Sequence, residues 1–265
     1  MKGIWIGVIV GVSVAAVIMV AGLSFGLTMG KKGFISTFMT NCGKHKGANC
    51  PKIWEAFSQA YVGKNSCEVP MEAYDSLIQR APIEPMHSTA LLWSKTDGFQ
   101  QRYKTNTKSL VLGDTLLGSL LGNETWCGKE GSEETITSGC PSWGENDCEN
   151  NPVRSFWKRA SAAFADAARG DVTALLNADI DDPFSPTSMF RSIEIKRLRH
   201  PMVESMKVVL VTKNYPGNNC EKPFLEDLRR ELDTQITYSC TEVSNGHKCL
   251  ASLLVYLLLI GQFFL

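Results

Sequence analysis

Nine cysteines in a chain of 265 residues constrain the fold more than any other feature. No two of them are separated by only two residues, and the four histidines are scattered, so the spacing does not match a zinc site. An apolar segment precedes them, so we expect a disulfide-bonded protein of the secretory pathway with one cysteine left over. The cysteines are Cys42, Cys50, Cys67, Cys127, Cys140, Cys148, Cys220, Cys240 and Cys249.

The charge balance excludes one broad class of function. The chain has 27 basic and 27 acidic residues, so its formal net charge is zero. Proteins that bind nucleic acid usually carry a basic excess concentrated on one face. We therefore expect no nucleic-acid partner, and the length allows one large domain or two small ones.

The N-terminal segment is apolar over residues 3–30, which contain no charged side chain. A membrane span needs roughly 20 apolar residues, whereas the apolar region of a cleaved signal has about 7 to 15. We expect residues 1–31 to be a signal peptide or a signal-anchor transmembrane helix. The chain after Lys32 then faces the oxidising side of the membrane, where disulfides form.

The C-terminal tail, residues 250–265, also lacks charge. Small residues stand just before it at Ser244 and Gly246, as in a signal for a glycolipid anchor, although the spacer is shorter than the usual stretch of about 8 to 12 residues. Removal of the tail would take Cys249 with it and leave an even number of cysteines. The alternative is a terminal helix that packs into the core.

The first half of the chain has helical patterns, including an amphipathic stretch in which Ile53, Trp54, Phe57 and Tyr61 follow helical spacing. The leucine-rich stretch Ser109–Gly128 suits a helix packed into the core and stopped near Gly122. The predicted helices cover about 33–42, 51–62, 71–80, 109–121 and 153–169, the last ended by Gly170.

The loop over residues 128–152 is polar and holds several cysteines, so we expect a surface loop held by disulfides. Asn123 begins a glycosylation sequon, Asn-Glu-Thr, close to the predicted core.

The second half has the pattern of a small sheet. One helix, about 224–233, is predicted among short β-branched or apolar segments separated by loops. These segments predict strands over 172–176, 192–195, 207–212 and 236–240. The fold class is therefore α/β (α+β), and small-molecule clefts are common at such junctions of helical and sheet-containing parts.

Glu194 and two tryptophans are the candidates for chemistry. Glu194 stands alone in the apolar stretch Ser-Ile-Glu-Ile, and a buried carboxylate is costly unless something uses or pairs it. The alternatives are a solvent-facing strand residue or an ion pair with Arg191 or Lys196. Trp93 and Trp157 suit core packing, and they also suit recognition of a cationic aromatic ring.

Five motifs together resemble one known family. LLWSK, VLGDTLLGSL, TWCG, SFWKRAS and the Phe-x-Ser-Ile-Glu around Glu194, in this order, are similar to the ADP-ribosyl cyclase family over about Phe34–Cys249. The resemblance implies a catalytic domain over 32–249. Its helical part covers about 32–153, and its part with a small, mainly parallel sheet flanked by helices covers about 170–249, with the site between them.

The resemblance implies cleavage of the nicotinamide–ribose bond of NAD, and of NADP, with no cofactor besides the substrate and no metal. Glu194 matches the catalytic carboxylate, and Trp93 and Trp157 match tryptophans that line the pocket. Family members often form dimers, so a homodimer is one state that the resemblance allows. The residues that match substrate contacts at the ribose and phosphates are Ser94, Lys95, Ser161 and Phe190.

The resemblance also implies a pairing of the cysteines. A fifth bridge of the family would begin at Cys249, whose partner is missing because the chain turns apolar instead. The implied pairs are Cys42–Cys50, Cys67–Cys148, Cys127–Cys140 and Cys220–Cys240.

Two positions depart from the family pattern. The hexapeptide that usually reads TLEDTL is VLGDTL here, so Gly113 replaces an acidic residue that influences the split between hydrolysis and cyclisation. Gly113 and Asp114 are counted with the substrate-binding residues, although Asp114 is not expected to replace that side chain. Arg191 stands where related sequences often have glycine, and it either adds a phosphate contact or crowds the site. The alternative function is a catalytically weak surface binding or adhesion module.

Overall fold

The computed structural model describes residues 33–96, 98–144, 146–213 and 217–244. The chain divides into two compact units. The first comprises the chain up to Ile83 together with Leu112–Ala163, and the second comprises Glu84–Val111 and the chain from Phe164 onward. The segment Glu84–Val111, which the sequence predicts in the helical part, thus belongs to the sheet-containing unit.

The described helices and strands follow one another along the chain with short 3₁₀ turns between some of them. The helices are α1 (33–43), α2 (Cys50–Gln59), α3 (Asp75–Arg80), α4 (Phe99–Thr107), α5 (Leu116–Ser119), α6 (Pro152–Asp166) and α7 (Phe224–Glu231). The strands are β1 (Met86–His87), β2 (Leu91–Ser94), β3 (Ala168–Asn177), β4 (Val203–Thr212) and β5 (Thr237–Ser244).

An aromatic cluster forms the core of the first unit. Phe57 from α2 packs against Trp126 at 5.3 Å and against Phe156 from α6 at 6.1 Å between ring centroids. The indole Nε1 of Trp126 donates to the hydroxyl of Tyr74 at 3.1 Å, and that hydroxyl donates to the carbonyl of Pro152 at 3.0 Å. The polar atoms of these buried rings therefore have partners, as burial requires.

The helix predicted over 51–62 is present as α2, although it ends at Gln59, three residues earlier than predicted. The side chain of Asn49 caps it by accepting from the backbone N–H of Lys52 at 3.3 Å. Ile53 and Phe57 are buried in the core, as their spacing predicts.

The prediction of one continuous helix over 109–121 is wrong. Leu110 pairs with Ala90 as an isolated bridge, Leu112–Asp114 forms a 3₁₀ turn, and only Leu116–Ser119 is α-helical. The hydroxyl of Thr115 accepts from the N–H of Gly118 at 3.0 Å and so caps a new helix in the middle of the stretch. The apolar positions still fill the core further on, where Leu120 and Leu121 are buried.

The second unit contains a parallel sheet with strand order β1-β3-β4-β5, and β2 also pairs with β3. The central strands β3 and β4 pair with Leu175 opposite Val209 and Asn177 opposite Val211. Leu91, Leu175 and Val209 belong to the apolar cluster of this unit. The strands predicted over 172–176, 207–212 and 236–240 are therefore confirmed.

The prediction of a strand over 192–195 is wrong. Phe190–Glu194 forms a single π-helical turn, followed by a 3₁₀ turn over Ile195–Arg197. Phe190 and Ile195, five residues apart, are both buried, which fits a wide helical turn better than the alternation of a strand. A four-residue apolar run is too short for its periodicity to distinguish the two.

The end of the predicted helix over 153–169 also needs correction. α6 ends at Asp166, and Ala168 already pairs with Met86 in the sheet. Gly170, with φ of +69°, lies in β3 next to a shift of register rather than at the end of the helix. The strand therefore takes up the last residues of the alanine-rich segment.

Four disulfides are formed among the described residues. They join Cys42–Cys50, Cys67–Cys148, Cys127–Cys140 and Cys220–Cys240, the same pairs that the family resemblance implies. The first three lie in the first unit and the fourth in the second. Cys249 lies outside the described residues.

Two kinds of feature are absent from the described part of the chain. No helix within it is both long and apolar enough to cross a membrane. Nor does it contain a group of three or more His, Cys, Asp or Glu side chains arranged to hold a metal ion. Residues 1–31 and 250–265, for which a signal or membrane anchor is predicted, lie outside the described residues.

Candidate functional site

The candidate residues are divided between the two units. Each unit contains one of the two candidate tryptophans. The first unit holds Gly113, Asp114, Trp157 and Ser161, and the second holds Trp93, Ser94, Lys95, Phe190 and Glu194.

In the second unit, strand β2, which ends in Trp93 and Ser94, contacts the π-turn Phe190–Glu194. β2 pairs in parallel with β3, so its carboxyl end lies at the edge of the sheet where ligands bind in open α/β sheets. The π-turn lies directly against β2. Trp93 is 37% exposed, so its indole is accessible to a ligand, whereas Trp126 is fully buried.

Lys95 follows β2 with a backbone φ of +53°, in the left-handed region that non-glycine residues rarely adopt. The side-chain amide of Asn177, at the end of β3, donates to the carbonyl of Lys95 at 3.0 Å. The other end of that amide accepts from the N–H of Asp179 at 3.0 Å. Asn177 therefore holds the turn that carries Lys95, and such strained residues cluster at functional sites.

Glu194 is the last residue of the π-turn and is only 7% exposed. The alternative of a solvent-facing strand residue is therefore wrong, both in its secondary structure and in its burial. A carboxylate is rarely buried without a purpose, because its charged form loses solvation. π-helical turns are also frequent at functional sites.

Arg191 lies on the same turn, and its side chain is committed to two neighbours. Its guanidinium contacts the carboxylate of Glu231 at 2.8 Å and donates to the carbonyl of Phe184 at 2.9 Å. It also lies over the ring of Phe184, 4.6 Å from the centroid. The ring of Phe184 in turn packs edge-on against Phe190 at 5.7 Å.

In the first unit, α6 carries Trp157 and Ser161 four residues apart and so on one face of the helix. Trp157 is half-buried against the core of this unit, edge-on to Phe156 at 5.0 Å. Ser161 is buried. Trp157 therefore packs partly into the core, which is the role that suits a tryptophan on composition alone.

Gly113 lies in the 3₁₀ turn Leu112–Asp114 of the first unit. No heavy atom lies within 4 Å of the position that a Cβ would take there, and the backbone does not have a positive φ. A Cβ therefore fits at this position without a clash. Asp114, the next residue, completes the turn.

Sequence reasoning missed three residues that shape this region: Phe184, Asn177 and Glu231. Asn177 carries a weak signal, since a polar amide ends the apolar run of β3. Phe184 and Glu231 carry none, because their contacts with Arg191 span 7 and 40 residues of sequence.

A comparison with known families decides the classification. The family model described as ADP-ribosyl cyclase matches residues 33–253. This chain belongs to the ADP-ribosyl cyclase family. The fold class expected from the resemblance is confirmed by the two solved structures described below.

Among curated relatives, the ADP-ribosyl cyclase/cyclic ADP-ribose hydrolase 1 of Rattus norvegicus is 30% identical over 198 residues, 73% of this chain and 65% of the relative. The ADP-ribosyl cyclase/cyclic ADP-ribose hydrolase of Aplysia californica is 27% identical over 168 residues, 62% of this chain and 58% of the relative. The aligned part thus covers less than two thirds of the length of each of these two relatives.

Two solved structures have the same fold. Porcine CD38 in complex with a covalent intermediate, ribo-F-ribose-5'-phosphate, superposes with a TM-score of 0.72 at 28% identity, covering 80% of this chain and 96% of that one. An ADP ribosyl cyclase in complex with N1-cIDPR has a TM-score of 0.72 at 22% identity, covering 86% and 94%. The second likeness concerns the fold alone.

Proposed function

We propose that this cyclase-family protein cleaves the bond between nicotinamide and ribose in NAD and NADP. The products are nicotinamide with ADP-ribose, cyclic ADP-ribose or both. One observation carries the proposal: Glu194, which the motif resemblance matches to the family's catalytic carboxylate, is buried on a π-turn beside the strand that ends in Trp93 and Ser94. The relatives from rat and Aplysia are named for the cyclase and hydrolase reactions.

The first step needs no general acid. When the glycosidic C–N bond breaks, its electron pair returns to the pyridinium nitrogen, and nicotinamide leaves as a neutral molecule. The ribosyl centre is left with oxocarbenium character. The carboxylate of Glu194 stabilises or traps that charge, as a carboxylate does in retaining glycosidases. A covalent intermediate is present in the porcine CD38 structure.

The second step decides the product. Attack by water on the ribosyl carbon, with loss of a proton from the water, gives ADP-ribose. Attack by N1 of the substrate's own adenine gives cyclic ADP-ribose. Trp93 and Trp157 are proposed to stack against the rings of the substrate, because indole faces suit both a cationic ring and a purine. A pocket that excludes water favours ring closure.

The remaining residues are proposed to bind the ribose and phosphates. Lys95 supplies a positive charge on a turn whose backbone is held by Asn177, and Ser94 supplies a hydroxyl beside it. Ser161 and Phe190 complete this set. Gly113 leaves space where the family usually has an acidic side chain, and Asp114 borders that space along the chain. No resident cofactor is part of the proposal.

The four disulfides are typical of an oxidising compartment, so the domain belongs to the secretory pathway or the cell exterior. Membrane attachment through residues 1–31 or through a lipid that replaces the C-terminal tail is a further proposal, as is a homodimer. Asn123 is exposed, which favours a glycan on its sequon.

The test uses the purified full chain in detergent, with disulfides intact, incubated with NAD and analysed by chromatography. We expect free nicotinamide, together with ADP-ribose and a measurable fraction of cyclic ADP-ribose. A folded and fully oxidised sample that releases no nicotinamide would contradict the proposal. The alternative of a binding or adhesion module, which the loss of the acidic side chain at Gly113 favours, would then stand.

A further inference from the structure

The turn that carries Glu194 is attached to helix α7 through Arg191. We infer that Arg191 is a positioning residue, which holds the π-turn Phe190–Glu194 in place so that the carboxylate of Glu194 meets the ribosyl carbon. The inference rests on the proposed function. It replaces both roles that the sequence leaves open for Arg191, a phosphate contact and a residue that crowds the site.

Three contacts of different kinds fix the guanidinium of Arg191. Its Nε and Nη2 lie 2.9 and 2.8 Å from one carboxylate oxygen of Glu231. Its Nη1 donates to the carbonyl of Phe184 at 2.9 Å, and its plane lies over the Phe184 ring. The backbone N–H of Arg191 also donates to the hydroxyl of Ser188 at 3.2 Å.

The partners of Arg191 are themselves fixed. Phe184 is fully buried and packs against Phe190 on the same turn. Glu231 is the last residue of α7, a helix whose Leu225 and Leu228 are fully buried. The guanidinium therefore joins the π-turn to a helix that has its own place in the core of the second unit.

The geometry suits a structural link better than a substrate contact. All three guanidinium nitrogens are already engaged with Glu231 or Phe184, so a phosphate would have to displace them. The side chains of Arg191 and Glu231 are 24% and 29% exposed, so the pair is screened less than a surface pair and is reinforced by a hydrogen bond and a ring. Lysine cannot reproduce this planar fork of donors.

Arg191 affects catalysis because it lies close to Glu194 along the chain. Glu194 lies three residues after Arg191, within the same turn, so a shift of the turn moves the carboxylate. Because a misplacement of about 1 Å can lower a rate about a hundredfold, loss of the link should lower kcat rather than weaken substrate binding. A phosphate contact would have the opposite signature, a higher KM with kcat retained.

The experiment compares Arg191→Met, Glu231→Gln, the double variant and Arg191→Lys in the full chain, by nicotinamide release from NAD. We expect each single variant to lose about tenfold to a hundredfold in kcat with little change in KM, and the double variant to lose no more than the worse single one. Arg191→Lys should recover only part of the rate. The matched control is Arg197→Met, which breaks the exposed pair of Arg197 with Asp166 and should keep wild-type kinetics.

The outcomes separate the inference from the function on which it rests. If the wild type releases nicotinamide but Arg191→Met keeps its kcat, the inference is wrong and the proposed function stands. If Arg191→Met raises KM alone while Glu231→Gln does nothing, Arg191 is a substrate contact. If the wild type is inactive, the proposed function fails first. Backbone hydrogen exchange over residues 188–198 should rise in Arg191→Met and Glu231→Gln, and unchanged exchange would also contradict the link.

Discussion

Gly118 packs so closely against Leu112 that a Cβ on Gly118 would lie 2.0 Å from the carbonyl oxygen of Leu112. The contact is between helix α5 and the 3₁₀ turn that precedes it, both within the first unit. The carbonyl of Leu112 also accepts from the N–H and the hydroxyl of Thr115, at 3.0 and 2.7 Å. This glycine thus sets the shape of the turn that carries Gly113 and Asp114.

We expect Gly118→Ala to destabilise the protein by about 1 to 3 kcal/mol, because the added Cβ clashes with backbone atoms, which cannot change rotamer to make room. The measurement is thermal unfolding of the oxidised full chain. Gly113→Ala is the matched control and should keep the wild-type Tm, since its Cβ position has no heavy atom within 4 Å beyond its own chain neighbours. Equal effects of the two substitutions would contradict this account of the turn.

Gly113→Glu should change the ratio of cyclic ADP-ribose to ADP-ribose, and it should fold because its Cβ enters open space and the longer side chain is flexible. The physical reason is that the substitution adds a carboxylate at the position where the family usually has an acidic side chain that influences the split between hydrolysis and cyclisation. Chromatography of the products from NAD gives the ratio, with Gly113→Ala as the control for lost backbone freedom. If Gly113→Glu and Gly113→Ala give the same ratio, Gly113 does not control the product.

Glu242 on β5 should make folding stability depend on acid pH. Burial raises the pKa of its carboxyl, but hydrogen bonds from Asn219, Gly217 and Cys220 outweigh burial, so the pKa in the folded protein lies below its ordinary value. The stabilisation is then fully present above the unfolded pKa, about 4.3, and is lost as the pH falls through the folded pKa.

Glu242→Gln should therefore lower the stability by about 1 kcal/mol at pH 7, because a neutral amide accepts these backbone hydrogen bonds less well. The difference in Tm between the variant and the wild type should shrink as the pH is lowered toward 3. The exposed Glu204→Gln on β4 is the control and should follow the wild type. A difference in Tm that stays constant over this pH range would argue against the role of the Glu242 charge.

The helices and strands that the sequence predicts well are those long enough for the spacing of their apolar residues to show a helical or strand periodicity. α2 and α7 each show their apolar face over two turns or more, and β4 is a long β-branched run, so length and pattern agree. The two clear errors, over 109–121 and 192–195, have other causes. In the first, Gly113 and Thr115 interrupt a run of leucines with a cap, and in the second, a short run fits both a strand and a wide turn.

The residues of the candidate site likewise divide into those that a local sequence pattern reveals and those that it does not. Glu194 can be singled out because a lone acidic residue in an apolar run is unusual, whatever the secondary structure around it. The supports of the site cannot be found this way. Asn177 and Glu231 act through contacts with Lys95 and Arg191 across the fold, at separations of 82 and 40 residues, which no local pattern encodes.

The two tryptophans Trp93 and Trp126 should respond in opposite ways to substitution. Trp93→Ala should raise the KM for NAD about tenfold or more, since lost stacking on one ring is worth about 1 to 3 kcal/mol, and should change Tm little because the side chain is partly exposed. Trp126→Phe should lower Tm, because the hydroxyl of Tyr74 loses the Nε1 donor, and should leave KM unchanged. Nicotinamide release and thermal unfolding on both variants give the comparison. A Trp93→Ala variant with wild-type KM would remove Trp93 from the proposed binding set.

Glu194→Gln should reduce nicotinamide release below about one thousandth of the wild-type rate, because it removes the charge that stabilises the ribosyl centre while it keeps the size of the side chain. The fold should survive, since an amide is nearly isosteric with a carboxylate and a neutral group costs less to bury than a charged one. Thermal unfolding and binding of NAD to the variant verify that point. The control is Glu226→Gln, the same substitution at an exposed position of α7, which should keep the wild-type rate. Should Glu194→Gln retain near-normal turnover in a folded sample, Glu194 is not the catalytic carboxylate, and the proposed mechanism loses its central residue.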